Sequence, residues 1–215
     1  MKQEVFTTGP SAYKSEGSKS TFNPRFWTLV AFVAALAFLR VVVVKSGEEF
    51  ANFTPIGAMA LFGGAYFTKN WKALLVPLLA LLASDVIIQQ MVYGGEYGAF
   101  LYKGWYVVYG VFLLIVLFGN RLIKKVNVKN VLLGAVSASL AHWLITDFGV
   151  WLGGIDVTTG LPFTKDVSGF IKCYALALPF LKNFLLGTLF YSALLFGSFE
   201  LAQYKFSVLK RQPVA

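Results

Sequence analysis

The chain has 215 residues, of which 57% are hydrophobic and only 13% charged, with a mean hydropathy of +0.67. A soluble domain carries about 45–50% apolar and about 25% charged residues, so a water-soluble fold is excluded, as is disorder. Cys173 is the lone cysteine and His142 the lone histidine, which removes a disulfide scaffold and a thiolate-built zinc or iron–sulfur site.

A helical span needs about 20 mostly apolar residues to cross about 30 Å of hydrocarbon. The residues before position 24 are polar, rich in Ser, Gly, Thr and Lys, and read as a disordered tail. Residues 26–44 form the first apolar run, interrupted only by Arg40. It continues well past Ala34, Ala35 and Ala37, so it is expected to be retained rather than cleaved as a signal. The second stretch, 55–67, is short and rich in glycine and alanine. The third covers 71–93, the fourth 104–119 and the fifth 128–152.

The last apolar region, 169–199, is too long for one straight span. Pro179 lacks a backbone donor, and a break or kink is expected there, with 169–178 interfacial or re-entrant and 180–199 spanning. The sequence thus predicts an all-α polytopic membrane protein with six transmembrane helices over 24–204, between the polar tail 1–23 and a basic tail 205–215.

Charge sets an orientation. Lys2, Lys14, Lys19 and Arg25 precede the first helix, Lys69 and Lys72 lie between the second and third, and Arg121, Lys124, Lys125 and Lys129 between the fourth and fifth. Lys205, Lys210 and Arg211 follow the sixth. The opposite loops hold Lys45, Lys103 and Lys165 but most of the loop acids: Glu48, Glu49, Glu96, Asp156 and Asp166. With six spans every basic segment falls on one side, which the positive-inside rule places in the cytoplasm together with both termini. The net charge of +9 is therefore a topology signal, and nucleic acid is not needed to explain it.

Ionisable groups inside a span are expensive, so each needs a reason. Asp85, His142, Asp147 and Lys182 all fall in the outer half of their spans. Gln89, four residues after Asp85, shares its face. Asp85 reads equally as a pocket residue or as half of a structural pair. His142 shares a stripe with Ala138 and Thr146 and reads first as a packing histidine. Asp147 lies about 140° around the helix from His142, so the two do not form one ligand face. Lys182 reads as a lysine snorkelling to the outer headgroups.

Trp105 and Tyr109, at the outer end of the fourth helix, suit either an aromatic belt or a platform for a flat ligand. Small residues (Gly57, Ala60 and Gly64; Ala31 and Ala35; Gly134 and Ala138) suit close helix packing, or docking of another subunit where they face lipid. No Walker A loop, HExxH or GxSxG string is present, so neither ATP hydrolysis nor an enzyme is expected of this chain. No cofactor is expected, and no inverted repeat of three plus three helices is visible.

The strings NFTPIGAMALFGGAYF (52–67), WKALLVPLLALLASDVII (71–88), ITDFGVWL (145–152) and GFIKCYALALPFLKNFLLGTLFYSALLFG (169–197) resemble an uncharacterised bacterial family of six-helix transport proteins. That family is in turn similar to the membrane-embedded S components of energy-coupling factor (ECF) transporters. The resemblance implies an S-component-like bundle in the bacterial plasma membrane that binds a small organic solute or vitamin from the outer side. The connection 45–54, with Glu48, Glu49 and Asn52, would cover the site. A transmembrane coupling subunit, docked on Ala31 and Ala35, and two cytoplasmic ATPases would drive release.

The substrate-binding candidates are Asn52, Asp85, Gln89, Trp105, Tyr109, His142, Asp147 and Lys182. The competing expectations are a self-sufficient proton- or ion-coupled carrier and a non-transporting scaffold. A single His with no Cys or Met cluster argues against a transition-metal substrate.

Overall fold

A computed structural model describes residues 23–44, 52–67, 70–95 and 100–210. The polar tail before Asn23, the Glu48 and Glu49 part of the expected covering connection, Lys69, Glu96 and residues 211–215 lie outside the described residues.

The described chain is helical, with α1 (Pro24–Val44), α2 (Ile56–Tyr66), α3 (Asn70–Ile87), α4 (Trp105–Leu122), α5 (Val128–Gly153) and α6 (Val167–Lys205). Side-chain caps set several starts. Asn127 accepts from the Asn130 amide at 2.8 Å, and Asp166 accepts from the Gly169 amide at 2.7 Å. These satisfy amides that have no intrahelical partner in the first turn. A five-residue π-helical turn, Ile88–Val92, prolongs α3, and a short 3-10 turn, Ser207–Leu209, follows α6 with Leu209 buried.

Six spans are expected from the sequence; four segments are long and apolar enough to cross a membrane. They are Pro24–Val44, Trp71–Val92, Val128–Gly153 and Val167–Lys205, whereas Ile56–Tyr66 and Trp105–Gly119 are shorter apolar helices. The shortness of α2 has a physical reason. Its 11 residues are apolar all round, and ten of them are buried, as expected of a helix with no solvent or lipid face. It packs against all five other helices. Phe62 on α2 stacks on Phe32 of α1 and meets Phe196 and Phe199 of α6 edge-on, with ring centroids 5.4 to 6.3 Å apart.

Of the break or kink expected at Pro179, the break is absent, and with it the separate 169–178 piece: α6 continues for 39 residues, about 58 Å, through the proline. One backbone bond is lost at Pro179, which stands on the exposed face. Buried Cys173, Ala177 and Phe184 continue a single packed stripe on both sides of it. Tertiary packing therefore outweighs a local cost of a few kcal/mol. Pro77 is likewise contained within α3, where its ring lies against Gly63 of α2.

The helix ends sort by charge. Arg25 at the start of α1 donates to Gln203 near the end of α6 at 2.7 Å and to the Leu209 carbonyl. Lys72 at the start of α3 lies 4.3 Å from the Phe26 ring. One end of the bundle thus gathers the start of α1, the start of α3 and the end of α6, with their basic residues. The opposite end gathers Arg40, Asp85, Tyr109 and the α5–α6 connection.

Candidate functional site

Two groups of polar residues form at that opposite end. The first centres on Asp85, which is 4% exposed. Arg40 of α1 pairs with its Oδ1 at 2.5 Å, and the Tyr109 hydroxyl of α4 donates to its Oδ2 at 2.9 Å. Arg40 also donates to Ser84 Oγ at 2.7 Å, and Ser84 donates to the Leu81 carbonyl. Both carboxylate oxygens are thereby engaged, and the charge is neutralised across three helices. Of the two sequence readings of Asp85, the geometry has the features of the structural pair.

Gln89, four residues on, is also buried, within the π-helical turn. Trp105 meets Tyr109 edge-on at 5.3 Å. These two border a cavity of about 530 Å³ walled by Leu78, Leu82, Phe100 and Leu101. Of its two polar side chains, Trp105 and Tyr109, the Tyr109 hydroxyl is already spent on Asp85.

The second group lines a cavity of about 460 Å³ between α5 and α6. His142 lies here, its ring stacked on Phe184 at 4.1 Å and 15°. So do Asp147, Trp143 and Asn52. Asn52 has φ 64°, a left-handed conformation that asparagine tolerates, where the chain enters α2. His142 and Asp147 do not share a face of α5, as expected, yet both border this cavity. It wraps around the C-terminal part of α5, reaching Val108 of α4 and Cys173 of α6, so residues 140° apart both border it.

Most other polar groups in the lining are already committed. Ser139 donates to the Ala135 carbonyl at 2.8 Å and Thr146 to the His142 carbonyl at 2.7 Å. The Cys173 thiol points at the Asp147 carbonyl at 3.6 Å. Lys182 is exposed and borders neither cavity, and Ala31 and Ala35 are exposed on α1.

The connection between α5 and α6 forms one wall through Ile155, Val157 and Phe163. It is held in several places: a β-bridge joins Ile155 and Pro162, Trp151 Nε1 donates to the Thr164 carbonyl at 3.0 Å, and Lys172 pairs with Asp156. The Lys172 ammonium, with Thr158, holds the Asp156 carboxyl at about 2, below its ordinary 3.8. A carboxylate so depressed contributes stability that is complete above the unfolded value and is lost as the pH falls toward 2. Amide exchange across residues 154–166 should therefore accelerate between about pH 4 and pH 2. Measured as protection relative to the intrinsic rate at each pH, that loss should be absent in Asp156→Asn, whose protection is already low at neutral pH and flat over that window.

Sequence reasoning passed over Arg40 as an interruption of the first span. A signal was available, since an arginine inside a span requires a partner and Asp85 is the acid on a neighbouring span at the same depth. It also missed Trp143, Cys173 and Phe184, whose places in the cavity depend on how α5 and α6 pair. Among the described residues no group of three or more His, Cys, Asp or Glu side chains could hold a metal. Comparison with curated proteins and with solved structures finds no match. A family model does match, over residues 20–210, and by it the chain belongs to a family of unknown function (DUF6580).

Proposed function

We propose that this chain is a substrate-capture subunit of a membrane transporter, S-component-like, binding a small organic solute in the α5–α6 cavity from the outer side of a bacterial plasma membrane. The observation that carries the reading is the cavity itself. Its volume of about 460 Å³ lies within the range of about 300–1,000 Å³ typical of small-molecule sites. Its lining has the usual composition of such sites, mostly apolar and aromatic with a few placed polar groups.

Several features support it. The cavity lies at the end away from the basic helix ends, which the positive-inside rule assigns to the exterior, with both termini inside. Asn52, where the α1–α2 connection returns to the described chain, reaches the cavity from the segment that would cover it. Ala31 and Ala35 are exposed on α1, where a coupling subunit could dock closely.

The test is native mass spectrometry of the chain purified in detergent, followed by reconstitution. One co-purifying small molecule per chain is expected, lost in Thr146→Trp, whose indole would fill the cavity. Uptake into proteoliposomes is expected only when a coupling subunit and ATPases are added. Uptake by this chain alone would replace the capture reading with a self-sufficient carrier, for which the carboxyl of Asp147 is the available proton site. A bound molecule insensitive to Thr146→Trp would move the site elsewhere.

A further inference from the structure

Five acids fall among the described residues: Asp85, Asp147, Asp156, Asp166 and Glu200. Four have partners. Asp85 pairs with Arg40 and Tyr109, and Asp156 with Lys172. Asp166 accepts from the Gly169 amide and the Thr164 hydroxyl, and Glu200 from Tyr66 and Gln203. No hydrogen bond or ion pair engages the Asp147 side chain among the described residues, and Asp147 is the acid that borders the α5–α6 cavity.

The cavity has no lysine or arginine in its lining to balance that charge. Lys182 is exposed and outside the lining, Lys172 is bound to Asp156 and Thr158, and Lys165 donates to the Trp151 carbonyl. The hydroxyls of Ser139 and Thr146 and the Cys173 thiol spend their protons on backbone carbonyls. What these three groups still offer is lone pairs, which accept from a protonated amine; the donors left in the lining are the unpartnered Trp143 indole N–H, the His142 ring and the Asn52 amide, none of which carries a lysine's or arginine's charge. Phe163, Phe180, Phe184 and Trp143 line the same cavity as the carboxylate, with one face of Phe184 covered by the His142 ring. Aromatic faces with an acid are the chemistry that recognises an organic cation, through the ring quadrupole and a charge-assisted hydrogen bond.

We propose that this cavity selects organic cations, solutes carrying a protonated amine on an apolar or aromatic body, with Asp147 as the counter-ion. The inference rests on the capture reading and narrows its substrate class. An anionic solute would meet an unscreened carboxylate with no lysine or arginine in the lining to offset it. A neutral solute would leave Asp147 unpaired in apolar surroundings.

The experiment is isothermal titration of the full chain in detergent with three probes of one ring and one linker: tryptamine (cation), tryptophol (neutral) and indole-3-propionate (anion). Tryptamine should bind about tenfold more tightly than tryptophol, and indole-3-propionate weakest. Asp147→Asn should bring tryptamine to within about twofold of tryptophol, while Asp147→Glu keeps the preference and Lys182→Gln changes nothing. Thermal unfolding of each variant establishes that the titrated protein is folded.

Tryptophol or indole-3-propionate binding as tightly as tryptamine overturns the charge assignment, as does a preference that survives Asp147→Asn. If Thr146→Trp still blocks the probes in either case, the cavity and the capture reading stand without it. Probes that bind wild type and Thr146→Trp alike, or that bind neither, overturn this cavity as the site and with it the cation selection drawn from it.

Discussion

Arg40→Ala should destabilise the solubilised chain by about 3–5 kcal/mol, the range seen when one partner of a buried pair is removed. The side chains of Arg40 and Asp85 are 11% and 2% exposed, so Asp85 would be left charged and buried with only Tyr109 for company. Asp85→Ala should cost a similar amount, because the guanidinium is then stranded in an apolar bundle. The double variant Arg40→Leu/Asp85→Leu should recover most of the loss, since well-packed apolar replacements of buried pairs are often neutral or stabilising. Reversible unfolding of the four proteins closes the cycle and isolates the coupling between the two residues. Probe binding per folded molecule should stay near wild type in the double variant, because neither residue lines the α5–α6 cavity. Full recovery of stability with lost binding would instead make the Arg40–Asp85 pair part of the site.

The sequence made the hydrophobic pattern legible because insertion into a bilayer demands long apolar runs, and the starts of α1, α4 and α5 fall within a few residues of expectation. Asp85 stood out for the same reason, as a charge where charge is costly. Its partner Arg40 did not, although the two lie on neighbouring spans at matching depth. Pro179 misled because a local rule, the missing amide, was weighed without the packed stripe of Cys173, Ala177 and Phe184 that overrides it. The cavity was the least legible feature. His142 and Asp147 were judged on one helical wheel, whereas the cavity is shaped by α4, α5, α6 and the 154–166 connection together. Helical periodicity reports which residues share a face, and says little about a void that wraps around a helix end.

Close packing at the centre of the bundle supplies the second large effect. A Cβ placed on Gly187 of α6 would lie 2.8 Å from the Thr54 amide nitrogen and 3.1 Å from its carbonyl oxygen. These are backbone atoms at the entrance to α2, and α2 is packed against all five other helices, so the contact has no flexible side chain to yield. Gly187→Ala should therefore cost about 1–3 kcal/mol despite the better helix propensity of alanine, and Gly187→Val more. Gly197, ten residues along the same helix, is the matched control: a Cβ there meets nothing within 4 Å. Gly197→Ala should be neutral or stabilise by up to about 1 kcal/mol. The two substitutions differ in position alone, so thermal unfolding of both separates packing from propensity. The same displacement should reach the cavity, because Asn52 borders it two residues before Thr54. Gly187→Ala should then weaken tryptamine binding as well as stability, and Gly197→Ala should leave both intact. Equal stability of the two variants would mean that α2 and α6 are not in the close contact that makes α2 the hub of the fold.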